Sequence, residues 1–255
     1  MPRTARKRSS TDVYHVIGRG INHERIFNQT REKNNFIRLL KKYLEKYDAE
    51  IYAYVIMSTH YHLLIHTDLR VLSNYIASVQ AEFAEYYNYK HGRNGHVFQD
   101  RFRSECVETP QYFWNCVRYI HMNPVNANLV TNPLKYRFSS IKEYEIEEEK
   151  IIDPYAIQLY RTSFEDFDEY LEFHQKTQKY IFIDIPEEIE RQMVEVGKVI
   201  LHQETHRQGL EGPHEIIEDY NLREKYKKKI RNEFRISKSK TERLYQQIKR
   251  CIIEK

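Results

Sequence analysis

Over residues 12–107 the apolar side chains follow two alternating periods, and the order of those periods restricts the fold to a small set. Residues 12–17 read as a strand. Residues 31–47 carry apolar groups at 36, 37, 39, 40, 43, 44 and 47, a helical stripe. Residues 51–57 are rich in β-branched and aromatic side chains and read as a second strand. Residues 61–67 read as a third, joined to the second by a tight turn near Ser58 and Thr59. Leu72, Ile76, Val79, Phe83 and Tyr86 form a second helical stripe, and a Gly-containing loop at 91–95 follows. A fourth strand is expected over 97–107, with Phe102, Ser104 and Cys106 on one face and Arg101, Arg103 and Glu105 on the other. The order β-α-β-β-α-β predicts an α+β fold with a ferredoxin-like split β-α-β domain on an antiparallel sheet.

A further helix begins at Thr109, a good N-cap with Pro110 in the first turn. Tyr112, Phe113, Cys116, Val117 and Ile120 form its stripe, and Pro124 is expected to end it. From about residue 141 the pattern is mostly helical, with breaks near Pro154, Pro186 and 209–213. The last stretch reads as two helices, roughly 222–233 and 239–250, with Ser239 and Glu242 as a capping box for the second.

Charge divides the chain more sharply than hydropathy does. The net charge of +4 resolves into about +8 over residues 1–140, about −13 over 141–222 and about +9 over 223–255. Three modules are therefore expected: 1–140, an acidic and mostly helical 141–221, and a basic helical tail at 222–255. Either basic block suits phosphate, although a basic surface is often only a solvated one. The three cysteines form no CxxC pair, so neither a disulfide framework nor a thiolate zinc site is suggested. The longest apolar run, 51–57, is too short to span a bilayer, and no apolar leader follows the basic N-terminus. From these features a cytoplasmic protein without a membrane partner is expected.

Two short patterns carry candidate chemistry. His60-Tyr61-His62 lies on a predicted strand, where residues i and i+2 share a face, so both imidazoles converge as two metal ligands can. Alone, the same pattern also fits two half-buried histidines on a polar surface. Tyr119 and Asn123 are spaced i, i+4 and so are neighbours at the edge of the apolar stripe of their helix. The bland alternative there is an amphipathic packing tyrosine, one of 21 in the chain.

Taken in order, four segments resemble the IS200-like transposases, specifically the REP-associated tyrosine transposases of the HUH, single-tyrosine class. They are Tyr14 to Asn22 with its Arg19-Gly20 turn, Met57 to Leu64 around the histidine pair, Gly95 to Phe102, and Arg118 to Val125. The resemblance covers about residues 12–130. The chain departs from the family pattern at Ser58-Thr59, where Pro-Asn is usual, at Asp100, where Gly is usual, and at Asn126, where a basic residue is usual.

The resemblance implies a metal-dependent single-strand DNA endonuclease and strand transferase. In that reading Tyr119 is the nucleophile, and His60, His62 and Asn123 hold a divalent ion, Mg²⁺ or Mn²⁺. The product is a covalent 5′-phosphotyrosine, the substrate is single-stranded or hairpin DNA, and the enzyme works as a monomer or homodimer. Arg19, Arg101 and Arg103 are the expected phosphate contacts around the sheet. Lys238, Lys240 and Arg243 are expected to face DNA if the tail is a helix-turn-helix; the alternative is a basic helix pair packed on the acidic segment. Three other readings compete. A domesticated DNA-binding protein without turnover would keep the fold. A zinc hydrolase lacks a well-placed third ligand and an HExxH motif. A relaxase generally carries its tyrosine before the histidine pair, whereas Tyr119 follows it.

Overall fold

The structure is a computed structural model that describes residues 6–146 and 150–253. It comprises two compact units, divided between residues 176 and 177.

The first unit is built on a four-stranded sheet of β1 (Val13–Arg19), β2 (Glu50–Ile56), β3 (His60–His66) and β4 (Arg103–Cys106), in the order β2-β3-β1-β4. Every neighbouring pair is antiparallel. With α1 (Thr30–Leu44) between β1 and β2 and α2 (Leu69–His91) between β3 and β4, this is the expected β-α-β-β-α-β arrangement.

The strands have two differently used faces. Tyr61 points toward α1 and α2, where its buried ring lies 4.7 Å from that of Phe36 and its hydroxyl accepts a hydrogen bond from Gln80. Gly18 sits opposite Tyr61 on β1, and a Cβ there would come within 2.5 Å of the ring, so only glycine lets it pack down. The other face carries His15, Ile17, His60 and His62, and α3 (Pro110–Asn126) packs over it against β2 and β3. Thr109 caps α3 by accepting from Tyr112 N–H.

Two local expectations are corrected. α3 does not stop at Pro124 but runs on to Asn126. A proline in the last turn removes one N–H, and the turn is closed by Ala127 N–H to the Asn123 carbonyl and Leu129 N–H to the Pro124 carbonyl. The fourth strand is four residues long rather than spanning 97–107. Upstream of it the backbone is engaged with the end of β1: Ile21 N–H donates to the Val97 carbonyl and Gln99 N–H to that of Arg19. Phe98 turns into the aromatic cluster of Phe27, Tyr61 and Phe83.

The first unit continues past residue 140 because the open edge of β2 is covered by the chain that follows. Ser140 N–H donates to the Tyr54 carbonyl, Ile56 N–H to the Phe138 carbonyl and Asp153 N–H to the Ile51 carbonyl. Buried Glu143, on α4 (Ile141–Ile146), accepts from the backbone N–H groups of Lys150, Ile151 and Ile152 and from the Tyr54 hydroxyl. α5 (Pro154–Ser163) and α6 (Phe167–Gln175) complete this unit.

The second unit is helical: α7 (Pro186–Arg207), α8 (Pro213–Glu218), α9 (Tyr220–Phe234) and α10 (Lys238–Ile253). Its core joins Val196, Ile200 and Leu201 of α7 to Ile216 and Ile217 of α8, Tyr226 and Ile230 of α9, and Leu244 and Ile248 of α10. The basic helix pair thus shares a core with helices of the acidic segment. α10 begins one residue earlier than expected, and its cap is Ser237 rather than Ser239, with the Ser237 hydroxyl accepting from Lys240 N–H. No helix among the described residues is long and apolar enough to cross a membrane.

Candidate active site

Strand period two places His60 and His62 on the α3 side of the sheet, both buried, with ring centroids 5.0 Å apart and nearly perpendicular. Helical period brings Tyr119 and Asn123 down onto them. The Tyr119 ring meets that of His62 edge-on at 5.7 Å, and Asn123 Nδ2 lies 3.5 Å from His62 Nε2. Both residues of α3 are buried rather than at the rim of the stripe. Four side chains separated by up to 63 positions therefore meet at one place.

The outer nitrogens of the two imidazoles are already engaged. His60 Nδ1 lies 2.9 Å from the Thr59 hydroxyl, and His62 Nδ1 lies 2.9 Å from Nε2 of His15 on β1. His15 is fully buried, its ring stacked on that of His62 at 5.1 Å and edge-on to Tyr119 at 6.0 Å. Behind it, Glu105 Oε2 of β4 lies 3.8 Å from His15 Nδ1. Neither His15 nor Glu105 is singled out by motif spacing. The usable signal was a lone histidine inside the apolar strand Tyr14-His15-Val16-Ile17, because a buried polar group requires a partner.

With Nδ1 of both histidines so engaged, Nε2 is the nitrogen each can direct to an ion. Asn123 sits beside Nε2 of His62, and its amide can present oxygen instead of nitrogen by a half-turn. Two imidazoles and a carboxamide suit a first-row divalent ion such as Mn²⁺, which accepts imidazole more readily than Mg²⁺ does. His60 and His62 belong to a buried group that could hold a metal ion.

The arginines divide. Arg19 ends β1 directly opposite His60 and on the same face. Its Nη1 is buried, and among the described residues nothing accepts a hydrogen bond from it. Arg103 begins β4 opposite Ile17, which is itself opposite His62, and so lies on the same face one strand farther out. Arg101 does not share a strand face with Arg103, because the strand has not begun at that point. It lines a recess of about 540 Å³ with Arg6, Arg70, Ser73 and Asn74 beside the start of α2. Among the described residues no carboxylate lines this recess, and burial, followed by the proximity of Arg101, lowers the pKa of Arg6. Lys238, Lys240 and Arg243 all lie on α10 in the second unit, and Arg243 is ion-paired with Glu190 of α7.

Two residues before Asn123 on α3, His121 belongs to a separate buried hydrogen-bonded network. His121 Nε2 lies 2.9 Å from the Ser140 hydroxyl and its Nδ1 lies 3.1 Å from His174 Nε2, while His174 Nδ1 lies 2.7 Å from the Tyr170 carbonyl. Burial holds both imidazoles neutral, with His121 well below its ordinary value and His174 pushed down to about 4. This network ties α3 to α6 and to the covering strip of β2.

Residues 9–123 match the family described as Transposase IS200 like, a span that includes His15, the histidine pair, Tyr119 and Asn123. No curated protein sequence matches the chain. Among solved structures it is similar to one described as the structure of the REP-associated tyrosine transposase bound to a REP hairpin. The identity is 17%, the TM-score is 0.49, and the likeness covers 57% of this chain and 86% of that one.

Proposed function

We propose that the protein, whose residues 9–123 match the family described as Transposase IS200 like, is a single-strand DNA endonuclease and strand transferase with Tyr119 as its nucleophile. The observation that carries the reading is the meeting of the Tyr119 phenol, the His60–His62 pair and the Asn123 amide on one sheet face.

Tyr119 Oη attacks the scissile phosphorus in line. A P–O bond forms to the tyrosine, the bond to the 3′-oxygen breaks, the phenol gives up its proton and the departing 3′-oxygen takes one. The products are a 5′-phosphotyrosine and a free 3′-OH. Because one phosphodiester replaces another, the strand can be rejoined by the reverse attack without ATP. A phenol with an ordinary pKa of about 10 is a weak nucleophile at neutral pH, so positioning must supply much of the rate. Burial of Tyr119 against His15 and His62 holds its ring in one orientation. A divalent ion held by His60, His62 and Asn123 would draw charge from the phosphate and orient it.

Arg19, which pairs with His60 across the strands and has a buried Nη1, would hold a non-bridging phosphate oxygen. Arg103 and the recess of Arg6, Arg70 and Arg101 would take phosphates farther along the strand. The substrate is single-stranded or hairpin DNA, as the family resemblance implies.

The reading is tested with one oligonucleotide labelled in turn at each end, incubated with Mn²⁺ or Mg²⁺ or with a chelator. The 3′-labelled strand should become protein-linked in a denaturing gel, and the 5′-labelled strand should yield a free fragment ending in 3′-OH. Both products should vanish with the chelator. Free fragments from both labels would instead indicate hydrolysis by water.

A further inference from the structure

We infer that Thr59 and His15, the latter backed by Glu105, are positioning residues that fix the tautomers of His60 and His62 so that Nε2 of each presents a lone pair to the ion. The inference rests on the metal-dependent reading of the site.

A neutral imidazole carries one proton on either nitrogen, and a metal ligand must leave its binding nitrogen bare. His62 Nδ1 and His15 Nε2 are 2.9 Å apart, so one of them donates. If His15 donated, His62 would carry its proton on Nε2 and could not bind an ion there. His15 would then turn a bare Nδ1 toward the Glu105 carboxylate at 3.8 Å, lone pair against negative charge. In the opposite arrangement His62 Nδ1–H donates to His15 Nε2, and His15 Nδ1–H faces Glu105. Both of these contacts are then favourable, and His62 Nε2 carries no proton on the side of Asn123. Thr59 plays the simpler role for His60: its hydroxyl, 2.9 Å from Nδ1, accepts the Nδ1–H and leaves Nε2 for the ion. The register fixes these partners. His15 and His62 lie on adjacent strands with their side chains on one face, and β4 pairs Glu105 directly with His15.

The test is Mn²⁺ affinity of the full chain, read from the electron paramagnetic resonance of free Mn²⁺, without DNA. Thr59→Val, close in shape and without an acceptor, should weaken binding about tenfold, and Thr59→Ser should restore it. His15→Leu should weaken it about ten- to a hundredfold, and His15→Gln, whose amide oxygen falls near the position of Nε2, should recover most of the loss. Glu105→Gln should give a smaller loss, about threefold. His60→Ala is the control. If His60→Ala abolishes binding while Thr59→Val and Glu105→Gln leave it unchanged, the tautomer assignment fails and the metal site stands. If His60→Ala itself has no effect on Mn²⁺ binding, the metal reading of the site fails.

Discussion

Asn123 Nδ2 lies 3.5 Å from His62 Nε2, so the last turn of α3 reaches the nitrogen that the His15 contact leaves pointing into the site. That pair joins the sheet to the helix carrying Tyr119, and in the proposed reaction it would set where the phosphate sits. Arg19 lies on the same face beside His60.

Arg19→Ala should lower cleavage of a single-stranded oligonucleotide by about a hundredfold, mostly in kcat, because a charge-assisted contact to the reacting phosphate is removed. Arg19→Lys should recover only part, since a point charge cannot reproduce the guanidinium fork. Single-turnover rates at saturating DNA check this, and an unchanged rate in Arg19→Ala would remove the residue from the site.

Stability should fall with acid because of His174. In the unfolded chain a histidine takes up its proton near pH 6.5, whereas in the fold burial delays it to about 4. Between those values the unfolded state binds more protons, so stability rises with pH across this window. It is full above about 6.5 and has lost about 3 kcal/mol from this group alone below about 4. Urea midpoints from pH 7 to pH 4 measure the slope, which should flatten in His174→Leu.

Glu143→Ala should destabilise the first unit by about 3 kcal/mol, because three backbone N–H groups and the Tyr54 hydroxyl lose their acceptor. The strip covering the β2 edge should then loosen. Hydrogen exchange at Ile151 and Ile152 should accelerate, while exchange in β1 and β3 changes less.

The histidine pair and the Tyr119–Asn123 spacing were legible because each is a local relation, two residues along a strand and four along a helix. The fold was legible for a similar reason, since each period reports one element. The His15–His62 contact spans 47 positions and depends on the β1–β3 register, which no local pattern specifies. The short β4 escaped notice because alternation continued through 97–102, where the backbone bonds instead with the end of β1. The step in charge at residue 141 reflects surface composition, while the hydrogen bonds of Glu143 and Ser140 decide which sheet that segment joins.

The basic pair α9 and α10 shares its core with α7 and α8, so deleting residues after 220 would strip half of that core. Charge substitution is the cleaner probe. If α10 contacts DNA, replacing Lys238 and Lys240 with Gln together should reduce the salt dependence of hairpin binding by about two units of slope, without moving the unfolding midpoint. An unchanged slope would assign these lysines to solvent.

The most direct measurement of the central proposal is mass spectrometry of the protein after incubation with single-stranded hairpin DNA and Mn²⁺, followed by nuclease and protease digestion. A nucleotide-bearing peptide modified at Tyr119 is expected, absent in Tyr119→Phe although that variant still binds the DNA. A nucleotide adduct on another residue, or cutting by Tyr119→Phe at the normal rate, would contradict the account.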